Sequence, residues 1–291
     1  MSSSDPADID AEAFRTFERH AHDRIAESYA DFLAPITSHA IGPLLDVAGV
    51  RKGSRVLDVA CGPGLLAAEA AARHPTVVAV DLSPVMLALA RKQHPAVEFR
   101  EGDAEALPFV EDSFDAVLCN FGLGHFPRPE RAMEEFARVL APGGVVAVSW
   151  WQLPRSRLNG IFFEAAREAG LTAPSGVPAG PPPDRFSDER RLELLLRSAA
   201  LTDVRIATLV WRARVESLDA WWNGGLGSMV RVAAVIAGQP ADVLRRTREI
   251  FERLAREHAA DGAFLVPLAA SMASGRCPTP RTAATARTSP R

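Results

Sequence analysis

The feature that most constrains this 291-residue chain is the segment 55–64, Arg-Val-Leu-Asp-Val-Ala-Cys-Gly-Pro-Gly, where a short apolar run meets a glycine turn. The Ala- and Leu-rich segment 65–73 then predicts a helix, and a second apolar run, 77–80, ends at Asp81. This order of strand, glycine turn, helix, strand and carboxylate is typical of a nucleoside-binding βαβ unit. Glycines let the backbone approach a ligand closely, and an ionised Asp can accept two hydrogen bonds from a ribose diol.

Asp58 indicates which nucleoside the turn suits. The spacing of Gly62, Gly64 and Ala67 is also compatible with a dinucleotide, whose pyrophosphate would lie at the helix N-terminus. A carboxylate at Asp58 would repel a pyrophosphate and attract a cation, such as the amino group of a methionine moiety. Taken alone, the glycines would also fit an ordinary tight connection between strand and helix. Together with Asp58 and Asp81 they favour a ligand site.

Five ordered motifs in this chain resemble those of the class I S-adenosylmethionine-dependent methyltransferases. Segment 56–64 is similar to the first motif of that family, with Ala60 where a glycine is common, and Asp81 is similar to the acid that binds the ribose. Segment 102–109 is similar to the third motif, which binds the adenine, and segment 115–123 is similar to the fourth strand and the loop that faces the methyl group. Segment 138–144 resembles the entry to the fifth strand.

Within that family the chain resembles the small-molecule branch, which includes the ubiquinone and menaquinone C-methyltransferases and natural-product methyltransferases. It departs from the quinone enzymes at Gly124-His125-Phe126. The resemblance implies S-adenosyl-L-methionine as cofactor and a phenol, enol, quinone precursor or polyketide-type natural product as acceptor, methylated by in-line transfer. The cofactor-binding residues that it and the motif chemistry indicate are Tyr29, Asp58, Ala60, Cys61, Gly62, Gly64, Asp81, Leu82, Met86, Asp103, Ala104 and Asn120.

The implied fold class is α/β, a doubly wound Rossmann-like methyltransferase sheet with N-terminal helices and a helical insertion before the last strand. Trp221, Trp222 and Met229 make the insertion, together with the N-terminal helices, a candidate acceptor lid; the alternative is that these side chains simply pack the insertion onto the domain. The expected regions are an N-terminal helical cap at 1–48, a cofactor-binding core at 49–215, the insertion at 216–262, the last strand at 263–275 and a disordered tail at 276–291.

His125, in the loop after the fourth strand, is the candidate catalytic base, because an imidazole near neutral pH can accept a proton from a phenol or enol. The alternative is that His125 only shapes the loop or contacts the cofactor. His20, His22 and His39 on the N-terminal helices are further candidates. Tyr29, the only tyrosine, lies in a segment that in similar enzymes folds over the cofactor, and it would otherwise pack in the core.

The composition excludes several classes of function. A net charge of −3 and a pI near 6.2 give no general attraction to nucleic acid, and the sequence after Cys119 lacks the Pro-Pro-aromatic motif of nucleic-acid amine methyltransferases. No apolar run is long enough for a membrane span, and the polar, acidic N-terminus predicts a cytoplasmic protein. Three scattered cysteines predict no disulfide framework and no metal site. A homodimer is left open.

Two other functions are compatible with parts of this pattern. A nicotinamide oxidoreductase would need a pyrophosphate site, which Asp58 opposes, and a catalytic Tyr-Lys pair, for which Tyr29 has no partner at the required spacing. A protein of the same fold could instead bind the cofactor and catalyse a non-methylating reaction on a natural product. Its cofactor motifs would look the same, so the sequence does not separate it from a methyltransferase.

Overall fold

The computed structural model describes residues 9–73, 75–153, 155–174 and 176–279. The N-terminal region is helical over its described part. Helix α1 (Ala11–Ser28) begins at Asp10, whose carboxylate accepts the backbone N–H groups of Glu12 and Ala13. The helical path continues through a π-helical turn, Tyr29–Leu33, and then through α2 (Ala34–Thr37) and α3 (Ile41–Val47).

The centre of the fold is one mixed sheet with the strand order β3-β2-β1-β4-β5-β8-β6. β1 to β5 are parallel, whereas β8 runs antiparallel to both β5 and β6, and the short β7 pairs with β8. This arrangement confirms the predicted α/β Rossmann-like fold. The strands are β1 (Arg55–Val59), β2 (Thr76–Asp81), β3 (Glu98–Glu101), β4 (Phe114–Asn120), β5 (Leu140–Trp151), β6 (Thr202–Val215), β7 (Ala259–Ala260) and β8 (Ala263–Arg276).

The register of the parallel strands brings their functional ends together. Val59 pairs with Val80, and Asp58 pairs with Ala79 on one side and Leu118 on the other. The glycine turn after β1, Asp81 at the end of β2 and the loop after β4 therefore lie at one edge of the sheet. Ligands of open α/β sheets bind at this carboxyl edge.

Helices cover both faces of the sheet, so the parallel strands are buried between two apolar layers. Ser83 caps α5 by accepting the backbone N–H of Met86, and Pro84 takes the first helical position, as the Ser-Pro pair predicts. The helices of this part are α4 (Leu65–Ala72), α5 (Pro84–Gln93), α6 (Pro129–Val139), α7 (Arg157–Glu168) and α8 (Glu189–Ser198).

The segment between β6 and β8 forms three helices, α9 (Leu218–Leu226), α10 (Val230–Ala237) and α11 (Ala241–Ala255). Trp221 and Trp222 are buried and pack against Phe251 of α11, and Trp222 also stacks on Phe162 of α7 in the core. On its other side α9 meets the π-helical turn, where Gly224 lies so close to Phe32 that no Cβ would fit. The insertion is thus joined to both the core and the N-terminal cap.

Strand β8 reaches Arg276, and Cys277 continues the pairing by donating its N–H to Gly144. Ordered backbone thus extends beyond the expected boundary at 275. Residues 280–291, most of the tail for which disorder is predicted, lie outside the described residues. Cys61 and Cys119 are free and buried. No helix within the described ranges is long and apolar enough to cross a membrane.

Candidate active site

Two adjoining cavities open at the carboxyl edge of the sheet. The larger is a cleft of about 770 Å³, including its open mouth, and the smaller measures about 360 Å³. Both are lined by Tyr29, Ala60, Gly62 and Asn120, so the glycine turn lies at their junction. An elongated ligand with chemically different ends would fit such a pair of cavities.

All the predicted cofactor residues except Gly64 line one or both cavities. Besides the four shared residues, the cleft takes Asp81, Leu82, Met86, Asp103 and Ala104, and the smaller cavity takes Asp58 and Cys61. Gly64 instead shapes the turn: its φ is +85°, and a Cβ there would lie 2.8 Å from the ring of Phe99. Only glycine satisfies both conditions without strain.

Ala60 adopts a φ of +57°, the left-handed region that L-residues other than Asn and Asp rarely occupy. This is the position at which the family commonly has glycine. The departure from the motif is therefore an alanine in a strained backbone conformation that glycine adopts freely. Strain of this kind is often found where backbone must approach a ligand.

Asp58 has a buried carboxyl oxygen that is free to interact with a bound cation. The residue is only 1% exposed, and its Oδ2 has no hydrogen-bond partner. Burial raises the pKa of Asp58 well above its ordinary value, against the hydrogen bond from the Ala67 N–H, and the nearby charge of Asp81 raises it further. A buried carboxyl oxygen at the smaller cavity fits the amino group of a methionine moiety, as the sequence predicts.

Asp81 lines the cleft and is held by two backbone hydrogen bonds. Its Oδ2 accepts the backbone N–H of Gly62 at 2.8 Å, and its Oδ1 accepts that of Ser83 at 2.9 Å. Each carboxylate oxygen can accept a second hydrogen bond. The geometry therefore suits recognition of the two ribose hydroxyls.

Asp103 lines the cleft together with Ala104. Its Oδ1 accepts the backbone N–H of Glu105, and its Oδ2 forms an ion pair with Nε of Arg15 at 2.9 Å. Arg15, from α1, was not found from the sequence. Its ion pair joins α1 to the residue with which the third motif would hold the adenine.

Tyr29 and Asn120 form the wall where the cavities meet. Burial raises the pKa of Tyr29 to about 12, so its hydroxyl stays protonated at neutral pH. Asn120 donates to the carbonyl of Thr37 at 3.3 Å and accepts from the hydroxyl of Ser149 at 2.6 Å. These bonds tie the N-terminal cap to the ends of β4 and β5. Burial also raises the pKa of the Cys61 thiol, which leaves it an unreactive wall residue.

His125 lines the cleft and has an acidic partner that was not found from the sequence. Its Nδ1 lies 2.8 Å from Oε2 of Glu18, whose side chain is 3% exposed. The ring of His22 meets His125 edge-on at 4.8 Å, and Nε of Arg231 lies 3.7 Å from Oε1 of Glu18. The one sequence signal for this cluster is the i,i+4 spacing of Glu18 and His22 on a helix.

The pKa of Glu18 is the outcome of opposing effects. Burial alone would raise it, but the charge of His125, the hydrogen bond from that ring and the charges of His22 and Arg231 together lower the pKa below its ordinary value. Glu18 is therefore a carboxylate at neutral pH.

Two of the other candidate bases lie away from the cleft. His39 stacks on Trp211, with the ring centroids 6.1 Å apart, and neither His39 nor His20 lines the cleft.

In sequence, the chain is similar to known methyltransferases. A family model described as a methyltransferase domain matches residues 57–148. The demethylmenaquinone methyltransferase of Chlorobaculum parvum is 39% identical over 165 residues, which cover 52% of this chain and 68% of that protein.

Solved structures share the fold at low sequence identity. The YcgJ protein of Bacillus subtilis superimposes with a TM-score of 0.54 at 23% identity, covering 83% of this chain and 99% of that one. A phosphoethanolamine N-methyltransferase of Haemonchus contortus, in complex with S-adenosyl-L-methionine, gives a TM-score of 0.51 at 18% identity, covering 83% of this chain and 53% of that one.

Proposed function

Because the chain belongs to the class I S-adenosylmethionine-dependent methyltransferases, we propose that it methylates a small acceptor with an acidic hydroxyl or enol by in-line transfer. The acceptor classes that fit are phenols, enols, quinone precursors and polyketide-type natural products. The similarity to a demethylmenaquinone methyltransferase supports the quinone precursors in particular. The single observation that carries the proposal is the imidazole of His125, held by a buried carboxylate at the cleft.

The residues at the two cavities fit the cofactor, which supplies a methyl group activated by a sulfonium when it is bound. Asp58 would hold its amino group, Asp81 its ribose, and Asp103 with Ala104 its adenine. Tyr29 and Asn120 would enclose the region between these ends and limit access of water. Their role is to position the reacting groups, which by itself can account for much of a rate enhancement.

His125 would remove the acceptor proton. Nδ1 faces the carboxylate of Glu18, so Nε2 is the nitrogen left to accept a proton from a hydroxyl in the cleft. An acceptor that is already anionic, or a carbon nucleophile activated by its own ring oxygen, would need positioning alone. The proposal therefore favours acceptors that are protonated at neutral pH.

Incubation with methyl-labelled S-adenosylmethionine tests this proposal. The acceptor panel should contain demethylmenaquinone, simple phenols and enolic polyketides, and the products should be measured as S-adenosylhomocysteine and labelled acceptor. We expect at least one acceptor to be labelled with equal release of S-adenosylhomocysteine. Cofactor binding by calorimetry with no S-adenosylhomocysteine from any acceptor would contradict the proposal and favour the non-methylating alternative.

A further inference from the structure

We propose that Glu18 is a positioning residue that orients His125 and stabilises its protonated form, and that Arg231 of the insertion fixes Glu18 for this task. The inference rests on the proposed role of His125 as base. It concerns three elements far apart in the chain: α1, the loop after β4, and α10.

The first step is the assignment of the proton on His125. A carboxylate can only accept hydrogen bonds, so the 2.8 Å contact between Glu18 Oε2 and His125 Nδ1 requires Nδ1–H. Nε2 then carries the lone pair. When Nε2 takes the acceptor proton, the imidazolium lies beside a buried negative charge that stabilises it, and the half-exposed ring can return the proton to solvent.

The second step concerns what holds Glu18. The guanidinium of Arg231 lies 3.7 Å from Oε1 of Glu18 and over the ring of Phe14, 5.3 Å from its centroid. It also donates to the carbonyl oxygens of Pro181 at 2.7 Å and of Gly124 at 3.3 Å. Gly124 directly precedes His125, so one side chain of the insertion touches both the carboxylate and the backbone that carries the base.

The same side chains could instead be considered as metal ligands. Donor atoms of Glu18, His22 and His125 lie within 4.8 Å of one another. However, Arg231 already places a positive charge beside the carboxylate, and Nδ1 of His22 is 2.8 Å from the backbone oxygen of Glu18. A divalent cation would be repelled by that guanidinium. The charges therefore favour a proton-handling network.

The network predicts a change that can be measured without an acceptor. In ¹⁵N-histidine NMR titrations of the cofactor-bound protein, Glu18→Gln should move the midpoint of the His125 ring to lower pH, because the carboxylate that favours the imidazolium is gone. The other ionisable side chains that face this ring, Arg231 and His22, are retained in the variant. Glu27→Gln, an exposed glutamate on the same helix, is the matched control and should leave the midpoint in place.

Activity with the acceptor found in the panel above gives the second readout. We expect Glu18→Gln to lower kcat about 10- to 10³-fold with little change in the KM for cofactor. The double variant Glu18→Gln/His125→Gln should be no slower than His125→Gln alone, since Glu18 acts through His125. Arg231→Leu should give a smaller loss in the same direction.

The outcomes separate the inference from the proposed function. Unchanged kcat in His125→Gln would refute the base role itself. If His125→Gln is slow but Glu18→Gln keeps the parent kcat, the inference is wrong and the proposed function stands. The same holds if the kcat losses of the two single variants add up in the double variant, or if Glu18→Gln does not move the NMR midpoint of His125. Activity removed by EDTA, restored by Zn²⁺ or Mn²⁺ and lost in His22→Gln would overturn it in favour of a metal site. If circular dichroism shows that Glu18→Gln does not fold, Glu18→Asp replaces it in the test. This variant keeps the carboxylate one methylene further from the ring, so the NMR midpoint of His125 should move to lower pH by a smaller amount.

Discussion

At the scale of single residues, Asp58 and Asp81 lie at neighbouring strand ends but in opposite states. Asp81 accepts two backbone N–H groups and is ready to accept more, whereas one oxygen of Asp58 is buried without a partner. An unsatisfied buried carboxyl group costs free energy that a bound cation can recover. The two residues therefore respond differently to substitution.

Asp81→Ala should weaken binding of S-adenosylmethionine by about 1–3 kcal/mol, because it removes hydrogen bonds from the ribose to a charged group. Isothermal titration calorimetry measures this directly. Asp242→Ala, at an exposed position of α11, serves as control and should bind like the parent. Equal affinities of Asp81→Ala and parent would refute the ribose assignment.

Asp58 should make cofactor binding depend on pH. Its raised pKa favours the protonated carboxyl in the free protein, while a bound amino group favours the carboxylate. Binding should therefore release a proton, and affinity should rise with pH until the pKa of free Asp58 is reached. Calorimetry in buffers of different ionisation enthalpy measures the release, which should be absent in Asp58→Asn.

The same shift affects stability with the opposite sign. A group whose pKa is raised on folding destabilises the fold as pH rises through that pKa, since the folded state must then bury a charge. Without cofactor, Asp58→Asn should therefore lose less stability than the parent between acidic and alkaline pH. Urea titrations at several pH values check this, and parallel curves for the two proteins would contradict it.

Gly64→Ala should lower the free energy of unfolding by about 2–4 kcal/mol, because alanine is strained at this positive φ and its Cβ would clash with Phe99. Gly53→Ala is a matched control, because Gly53 has nearly the same φ, +86°, with nothing within 4 Å of the added Cβ. Its loss should be only about 1 kcal/mol. If urea unfolding gave the same loss of free energy for both variants, the clash with Phe99 would contribute nothing.

At the scale of elements, the π-helical turn Tyr29–Leu33 connects the N-terminal cap, the cavities and the insertion. Tyr29 faces both cavities, while Phe32 meets α9. No described residue of the insertion lines either cavity. Its closure over an acceptor stays a prediction, because Trp221 and Trp222 pack the insertion onto β8 and α7. The insertion reaches the site through Arg231 and through this turn.

Gly224→Ala should disturb that turn, because the added Cβ has no room beside Phe32. We expect the free energy of unfolding to fall by about 1–3 kcal/mol and amide exchange at 29–33 to become faster. Hydrogen exchange measured by mass spectrometry reports both the turn and the rest of the protein. Asn223→Ala, at the exposed neighbouring position, should leave exchange at 29–33 unchanged.

At the scale of the whole molecule, one sheet joins the cofactor-binding part to the last strands. β8 lies between β5 and β6, so the strand after the insertion completes the sheet that the first motif begins. The N-terminal helices line both cavities, and the insertion packs against these helices at Phe32. Occupation of the cavities should therefore stabilise the molecule as a unit.

S-Adenosylmethionine at 100 times its dissociation constant should stabilise the folded state by about 2.7 kcal/mol by mass action. Differential scanning calorimetry should show a rise of several degrees in Tm. With Asp81→Ala at the same concentration the rise in Tm should be smaller, because the stabilisation falls with the logarithm of the affinity. A Tm that does not depend on cofactor concentration would mean that the two cavities do not bind it.

The sequence by itself determined the sheet's parallel core and predicted most of the residues that line the two cavities. These follow from local patterns: an apolar run, a glycine turn, a capped helix and an acid at a strand end, and parallel strands bring such ends to one edge. The family resemblance extended the same reasoning to Asp103 and Asn120, which line the cleft as expected. For each of these residues, a short sequence motif was enough to predict its place at the carboxyl edge of the sheet.

The tertiary structure alone decided what surrounds His125. Glu18 lies 107 residues before it, and Arg231 comes from an insertion with no family pattern to place it. Neither residue belongs to a periodic apolar pattern, and an exposed helical Glu or Arg looks the same in a sequence as a buried, paired one. The strained φ of Ala60 was equally invisible. Such pairings arise only when packing removes water from charges that the sequence keeps far apart, because burial makes an unpaired charge too costly to retain.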